Sequence, residues 1–245
     1  MASSGIPSLD KLLAGGYPDK STILITGAPG VGKQALGYWF TQSGLLQGDF
    51  CLYLTRLTIR EILKDAKGFG VDYQQRVPYW IASDGGEIKY DHRDLAGLSY
   101  NLKEVLKKNA DRRMRVFADV FSPLLMLNPP DAIYKFLTQL LTDIKQYDVV
   151  LLATLQDGMH DSQIMTVMQT LFDRVLELRI YEEGGLSYAS ILRVLKMIGV
   201  LGPILGETLI SGIILAAAGY FLYRSARSLV PIYRFTTETE AKKMD

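Results

Sequence analysis

The chain has 245 residues, 22% charged and 48% hydrophobic, with 27 Lys and Arg against 26 Asp and Glu. That length suits one ordinary domain, or one domain with an appendage, and it can bury a full core without disulfides or metals. The composition excludes a disordered chain, a collagen and a disulfide-stapled secreted module, and the near-zero net charge predicts no polyanionic partner. Mean hydropathy is +0.10, high for so charged a soluble domain. Either the core is very apolar or one segment carries the excess.

The single cysteine, Cys51, permits no intrachain disulfide and fits a reducing cytosol. Residues 1–21 lack a basic start followed by an apolar run, so no secretory signal is expected. His92 and His160 stand far apart without Cys or His neighbours, and a zinc site is not expected.

Residues 21–26 (STILIT) read as a β-branched strand ending at a glycine-rich turn, and 33–46 as the helix that follows. A second strand is predicted at 50–55. Thr58 caps a helix over 58–67, with Glu61 at capping-box spacing. Residues 77–82 form a weak strand broken by Pro78. A helix over 93–109 carries Leu95, Leu98, Leu102, Val105 and Leu106 on one face. Residues 115–120 (RVFADV) form a strand that includes an acid near its end. Asp131 caps a long helix over 132–146, whose Ile133, Phe136, Leu137, Leu140, Leu141 and Ile144 make one buried stripe. Strands follow at 149–155, 175–181 and 189–196, the last two split by the turn signal Glu182-Glu183-Gly184-Gly185. Near-continuous apolar strands separated by helices imply an α/β fold, a mostly parallel twisted sheet with helices on both faces.

The sharpest local signal is Gly27-Ala28-Pro29-Gly30-Val31-Gly32-Lys33-Gln34, between a predicted strand and a predicted helix. In that context G-x-x-x-x-G-K is a phosphate loop. Its glycines let backbone N–H groups curl inward, the helix start adds partial positive charge, and Lys33 supplies a point charge for the β- and γ-phosphates. The eighth position asks for a Ser or Thr hydroxyl on Mg²⁺, and Gln34 stands there instead. Asp119 is the candidate acid that holds Mg²⁺ through water; the bland alternative is a strand-terminal Asp opening a turn with Ser122-Pro123. Gln156, just after a core strand, is either a γ-phosphate sensor or a polar residue opening the loop with Asp157-Gly158.

Several motifs together resemble KaiC-like ATPases of the RecA superfamily. They are residues 5–13 (GIPSLDKLL) with Gly15-Gly16-Tyr17-Pro18, the phosphate loop, 66–72 (AKGFGVD), 117–125 (FADVFSPLL), and 193–197 (RVLKM) with Gly199. The resemblance covers roughly residues 5–199. It implies a RecA-like P-loop fold, ATP bound between subunits, and assembly into a ring or filament. It also implies paired glutamates after the second strand, where this chain has Arg56 and Leu57. It implies Lys-x-Arg reaching a neighbouring subunit's phosphates, where Lys196 is retained as the trans-acting residue and Ile198 replaces the arginine. With Gln34, three parts of the hydrolytic machinery are altered. A general base contributes roughly 10²–10⁴ in rate and an arginine finger roughly 10³–10⁵. The expectation is an ATP-binding protein with impaired or absent hydrolysis and weakened Mg²⁺ binding, a regulatory or scaffolding subunit. FlaH-type relatives of the archaellum motor, which also lack the glutamate pair, are the analogy.

The second functional class is an active RecA- or RadA-like ATPase on DNA. Residues 1–198 hold 22 basic and 22 acidic side chains, so no net field draws in a phosphate backbone. A local run, Lys103, Lys107, Lys108, Arg112, Arg113 and Arg115, is read as a solvated helix face and turn. The hydropathy excess falls in 199–223, with 16 hydrophobic residues in 25 and one formal charge, Glu207. A helix of that length spans about 37 Å, enough for a bilayer core of about 30 Å. Two readings stand: a membrane anchor for a cytoplasmic protein, or a helix packed on protein. Residues 224–245 form a short polar tail, though 230–236 also resembles the family's final strand.

Overall fold

In a computed structural model of the chain, the described residues are 1–73, 78–82, 86–183 and 187–197. The expectations for 199–223, 224–245, Ile198 and the 184–185 part of the turn lie outside them.

The first element is α1 (Pro7–Leu12), with proline at its first turn, where no intrahelical partner for its nitrogen is needed. Then come β1 (Thr22–Gly27), α2 (Lys33–Gln47), β2 (Phe50–Thr55), α3 (Ile59–Gly68), β3 (Tyr79–Ala82), β4 (Ile88–Lys89) and α4 (Leu95–Lys108). The second half holds β5 (Met114–Asp119), α5 (Phe121–Leu127), α6 (Pro130–Ile144), β6 (Val149–Gln156), α7 (Ser162–Leu171), β7 (Arg174–Glu183) and β8 (Ser187–Met197). These form one eight-stranded sheet in the order β4-β3-β2-β5-β6-β1-β7-β8. Every adjacent pair is parallel except β7 and β8.

The period-2 pleat sorts each strand between two cores. Leu24, Leu52, Leu54, Val116, Ala118, Leu151 and Ala153 face α4, α5, α6 and α7. Ile23, Ile25, Tyr53, Phe117, Val150 and Leu152 face α1, α2 and α3. That is why the strands read as near-continuous apolar runs. The capping box of α3 forms as expected: Glu61 N–H donates to Thr58 Oγ1, and Thr58 N–H donates to Glu61 Oε2 at 2.8 Å. The α6 stripe is buried as predicted, but Pro129 occupies the cap and Asp131 lies inside the first turn. A proline there presets the backbone, so no side-chain cap is made. Likewise α4 starts later than predicted, because Asp94 caps it through Gly97 N–H at 2.8 Å.

In the basic run Lys103, Lys107, Lys108 and Arg112 are exposed as expected, whereas Arg113 is half-buried and Arg115 buried. Lys103 pairs with Asp143, Arg113 with Asp19 and Arg115 with Asp49. Arg115 is fully buried. It lies on β5, on the same face as Phe117, beneath α2.

The N-terminal segment is built into the domain. Ala2 and Tyr17 exchange both backbone hydrogen bonds, at 2.6 and 2.7 Å. Asp10 accepts from Ser3 Oγ at 2.5 Å and Ser4 N–H at 2.7 Å. Gly5, at φ +82°, packs so closely on α2 that a Cβ would sit 2.3 Å from the Trp39 carbonyl oxygen. Only glycine fits.

Ala14 is exposed and left-handed, at φ 57°. Ala14→Gly is expected to stabilise the domain by about 0.5–1 kcal/mol, since relief of roughly 1–2 kcal/mol of left-handed strain exceeds the freedom regained by the unfolded chain. Thermal melts check this; a lower Tm for the variant counts against it. Among the described residues, no helix is long and apolar enough to cross a membrane.

Candidate functional site

The carboxyl ends of β1, β6, β5 and β2 lie side by side. Gly27 pairs in register with Gln156, Ala118 with Ala153, and Thr55 with Asp119. This edge is where open α/β sheets place their ligand sites.

The loop after β1 carries Ala28, Pro29 and Gly30 on its exposed crest. Gly30 and Gly32 take φ of +77° and +90°, and Gly32 is the N-cap of α2. These left-handed turns curl the backbone around the helix start. No atom lies within 4 Å of where a Cβ of Gly30 would sit, so the crest is open. Val31 is buried and pins the loop to the core.

Lys33 is 1% exposed. Its ammonium donates to the carbonyls of Gly27 at 2.8 Å and Ala28 at 2.7 Å. Burial pulls its pKa below the ordinary lysine value, while the charges of Asp119 and Asp157 oppose that shift. The Asp157 N–H donates to the Gly27 carbonyl at 2.9 Å. Burial, then the charge of Glu177, raises the Asp157 carboxyl pKa against the pull of Lys33 and Arg179. Glu177 itself is buried on β7 and pairs with Arg179 at 2.7 Å and Arg193 at 3.1 Å.

Asp119 ends β5, one strand removed from the loop strand. Gln34 Nε2 donates to its Oδ2 at 3.3 Å, and the Thr154 hydroxyl donates to its Oδ1. Gln34 therefore turns a donor toward the acid, where a metal would need an acceptor. Gln156 is half-buried at the end of β6, and its N–H donates to Ser122 Oγ at 2.9 Å. Ser122 thus ties α5 to β6 rather than opening a turn.

Arg56 is exposed just beyond β2. Leu57 is half-buried against the α2-side core, and its N–H donates to Thr55 Oγ1 at 3.0 Å. Lys196 lies on β8, but its side chain is outside the described residues. The structure thus brings together the loop, Lys33, Gln34, Asp119, Thr154 and Gln156, with Arg56 alongside. Thr154 was missed in the sequence, because its contact depends on β5–β6 register. The loop and Lys33 fit a nucleotide's phosphates. For Mg²⁺ the set is thinner, since no side-chain hydroxyl stands at position 34. Among the described residues, no group of three His, Cys, Asp or Glu is placed to hold a metal.

A phosphate loop on β1, an acid ending β5 and β6 between them define a RecA-like P-loop nucleotide-binding domain. The family model described as ATPase: KaiC matches residues 2–200, and the chain belongs to that family. It is 27% identical over 206 residues to the circadian clock protein KaiC3 of Synechocystis sp., covering 80% of this chain and 39% of the relative. It is 27% identical over 202 residues to the circadian clock oscillator protein KaiC of Parathermosynechococcus lividus, covering 80% and 36%. A shorter stretch of 74 residues is 34% identical to a UPF0273 protein of Methanopyrus kandleri, covering 30% and 29%. The matches span well under half the length of these curated relatives. The protein is KaiC-like and nucleotide-binding.

Proposed function

We propose that this protein binds ATP on the loop of residues 27–34 and hydrolyses it slowly or not at all, serving as a nucleotide-dependent regulatory or scaffolding subunit. One observation carries the reading. Asp119 is held by the Gln34 amide and the Thr154 hydroxyl, while the neighbouring loop offers Arg56 and Leu57 rather than a carboxylate. No acid there can take a proton from water. Mg²⁺, when bound, would neutralise charge on the β- and γ-phosphates. Asp119 would hold it through water, and Gln34 supplies no hydroxyl ligand.

Steady-state phosphate release and ATP affinity, measured side by side with and without Mg²⁺, test this. Release near the no-enzyme background is expected. Turnover at an ordinary enzyme rate, about 10 s⁻¹, abolished by Lys33→Ala, would overturn it. Gln34→Thr is expected to make ATP binding more Mg²⁺-dependent, by roughly tenfold for one restored charge-assisted contact. Equal Mg²⁺ dependence in both proteins would remove position 34 from the argument.

Assembly of several copies into a ring or filament is part of this reading, supported by the family resemblance, with Lys196 the residue offered to a neighbour. The apolar composition of 199–223 supports attachment of a cytoplasmic protein to a membrane. Carbonate-washed membrane fractions of the full chain, against a chain stopped at Met197, decide it. Recovery of the full chain in the supernatant sinks the anchor.

A further inference from the structure

Position 56 owes its place to two constraints. Thr55 pairs in register with Asp119, so the chain leaves β2 directly beside that acid. The Leu57 N–H then donates to Thr55 Oγ1 at 3.0 Å, which turns the chain at once, and the Leu57 side chain packs against the α2-side core. With Leu57 committed inward, Arg56 is the exposed residue of the pair.

Its surroundings mark the direction. Tyr90 is buried next to the end of β4, its hydroxyl 3.1 Å from His92 Nε2 and its ring 4.9 Å from the His92 ring. The positive charge of Arg56 reaches both Tyr90 and His92, and the negative charge of Asp119 also reaches Tyr90. With Thr55 the register partner of Asp119, Arg56 and Asp119 share one neighbourhood.

On the far side of Asp119 lies the start of α2. Gln34 touches Asp119 at 3.3 Å, and Lys33 precedes it in the loop. Neighbouring parallel strands lie about 4.8 Å apart, so the tips of β5 and β2 put Asp119 and Arg56 within a side chain's reach. Two cations, Lys33 and Arg56, thus border one acid. On the nucleotide-binding reading, phosphates seated on the loop lie at the helix start, where Gln34 touches Asp119. An arginine there stays charged and offers a planar fork to two phosphate oxygens.

We infer that Arg56 binds the terminal phosphate of a nucleoside triphosphate, so the site tells triphosphate from diphosphate by charge. This rests on the nucleotide-binding reading above. An acid at this place would repel the γ-phosphate and take a proton from water. An arginine stabilises the bound triphosphate and takes no proton.

The test is calorimetric titration of the full chain with ATP and with ADP, for wild type, Arg56→Gln, Arg56→Lys and Lys33→Ala. Arg56→Gln is expected to weaken ATP binding by about tenfold or more, the weight of a lost charge-assisted contact, and ADP binding by less than about twofold. Arg56→Lys should fall between, retaining the charge without the fork. Thermal melts confirm that each variant is folded. Equal losses for both nucleotides, or no loss for either, overturn the inference. ATP binding that needs Lys33 but not Arg56 overturns this inference alone. No ATP binding by wild type, or binding indifferent to Lys33→Ala, overturns the nucleotide reading and this inference with it.

Discussion

Replacing Lys33 with alanine is expected to weaken nucleotide binding by about a hundredfold or more. The ammonium is buried in the loop on the carbonyls of Gly27 and Ala28. It is therefore held where phosphate oxygens would come against the loop. Each charge-assisted hydrogen bond is worth about 1.5–3 kcal/mol, and two such contacts give at least the hundredfold. The variant should remain folded. The Gly27 carbonyl keeps the Asp157 N–H as donor, and Ala28 lies on the exposed crest where water can serve. Titration with a fluorescent ATP analogue measures the loss. Affinity within about threefold of wild type, on this scale, would mean the loop does not seat phosphate.

The same residue sets a pH dependence. Burial lowers the Lys33 pKa below 10.5. The cation is the binding form. Affinity thus falls as pH rises through the lowered pKa, at a lower pH than an ordinary lysine would give.

Arg115→Met is expected to have the largest effect on stability, a loss of about 3–5 kcal/mol, the usual result of breaking a buried ion pair from one side. Arg115 Nε donates to Asp49 Oδ2 at 2.6 Å, and Nη2 to Gln47 Oε1 at 2.7 Å. Nη1 donates to the carbonyls of Ser3 at 2.6 Å and Phe40 at 3.1 Å. The guanidinium also lies 5.1 Å from the centre of the Phe40 ring. Methionine fills much of the volume but leaves Asp49, itself only 10% exposed, without its cation. Urea unfolding gives the change directly, and the melting point should fall by roughly 10 °C. A shift under about 1 kcal/mol would place Arg115 among ordinary surface substitutions, contrary to its burial.

Strands β1, β2, β5 and β6 were legible because both faces of the sheet are covered, so they read as mostly apolar runs broken only by a few threonines and, in β5, by Arg115. α6 was legible from its stripe. α5 was not, because it begins right after Asp119 and buries Phe121, Ser122, Leu124 and Leu125, leaving little contrast between faces. α1 has six residues, too few for a period, and α7 fully buries only Met168. At the site, the loop of 27–34 was legible because its chemistry is contiguous. Its ties to Asp119 were not: Gln34 lies 85 residues away and Thr154 35, and only the folded sheet joins them. Arg115 misled for the same reason. In sequence it belongs to a basic run, whereas its partners come from Ser3, Phe40, Gln47 and Asp49.

Those partners bear on mechanics. Arg115 grips the Ser3 carbonyl and the Phe40 carbonyl at once, and Gly5 abuts Trp39. Trp39 and Phe40 belong to the helix that starts at the phosphate loop. The first turns of the chain and that helix are therefore clamped together like a lever, with the phosphate loop at one end and the N-terminal strap along its flank. A shift of the helix must carry the strap with it, and deleting residues 1–5 would loosen the lever far from the nucleotide.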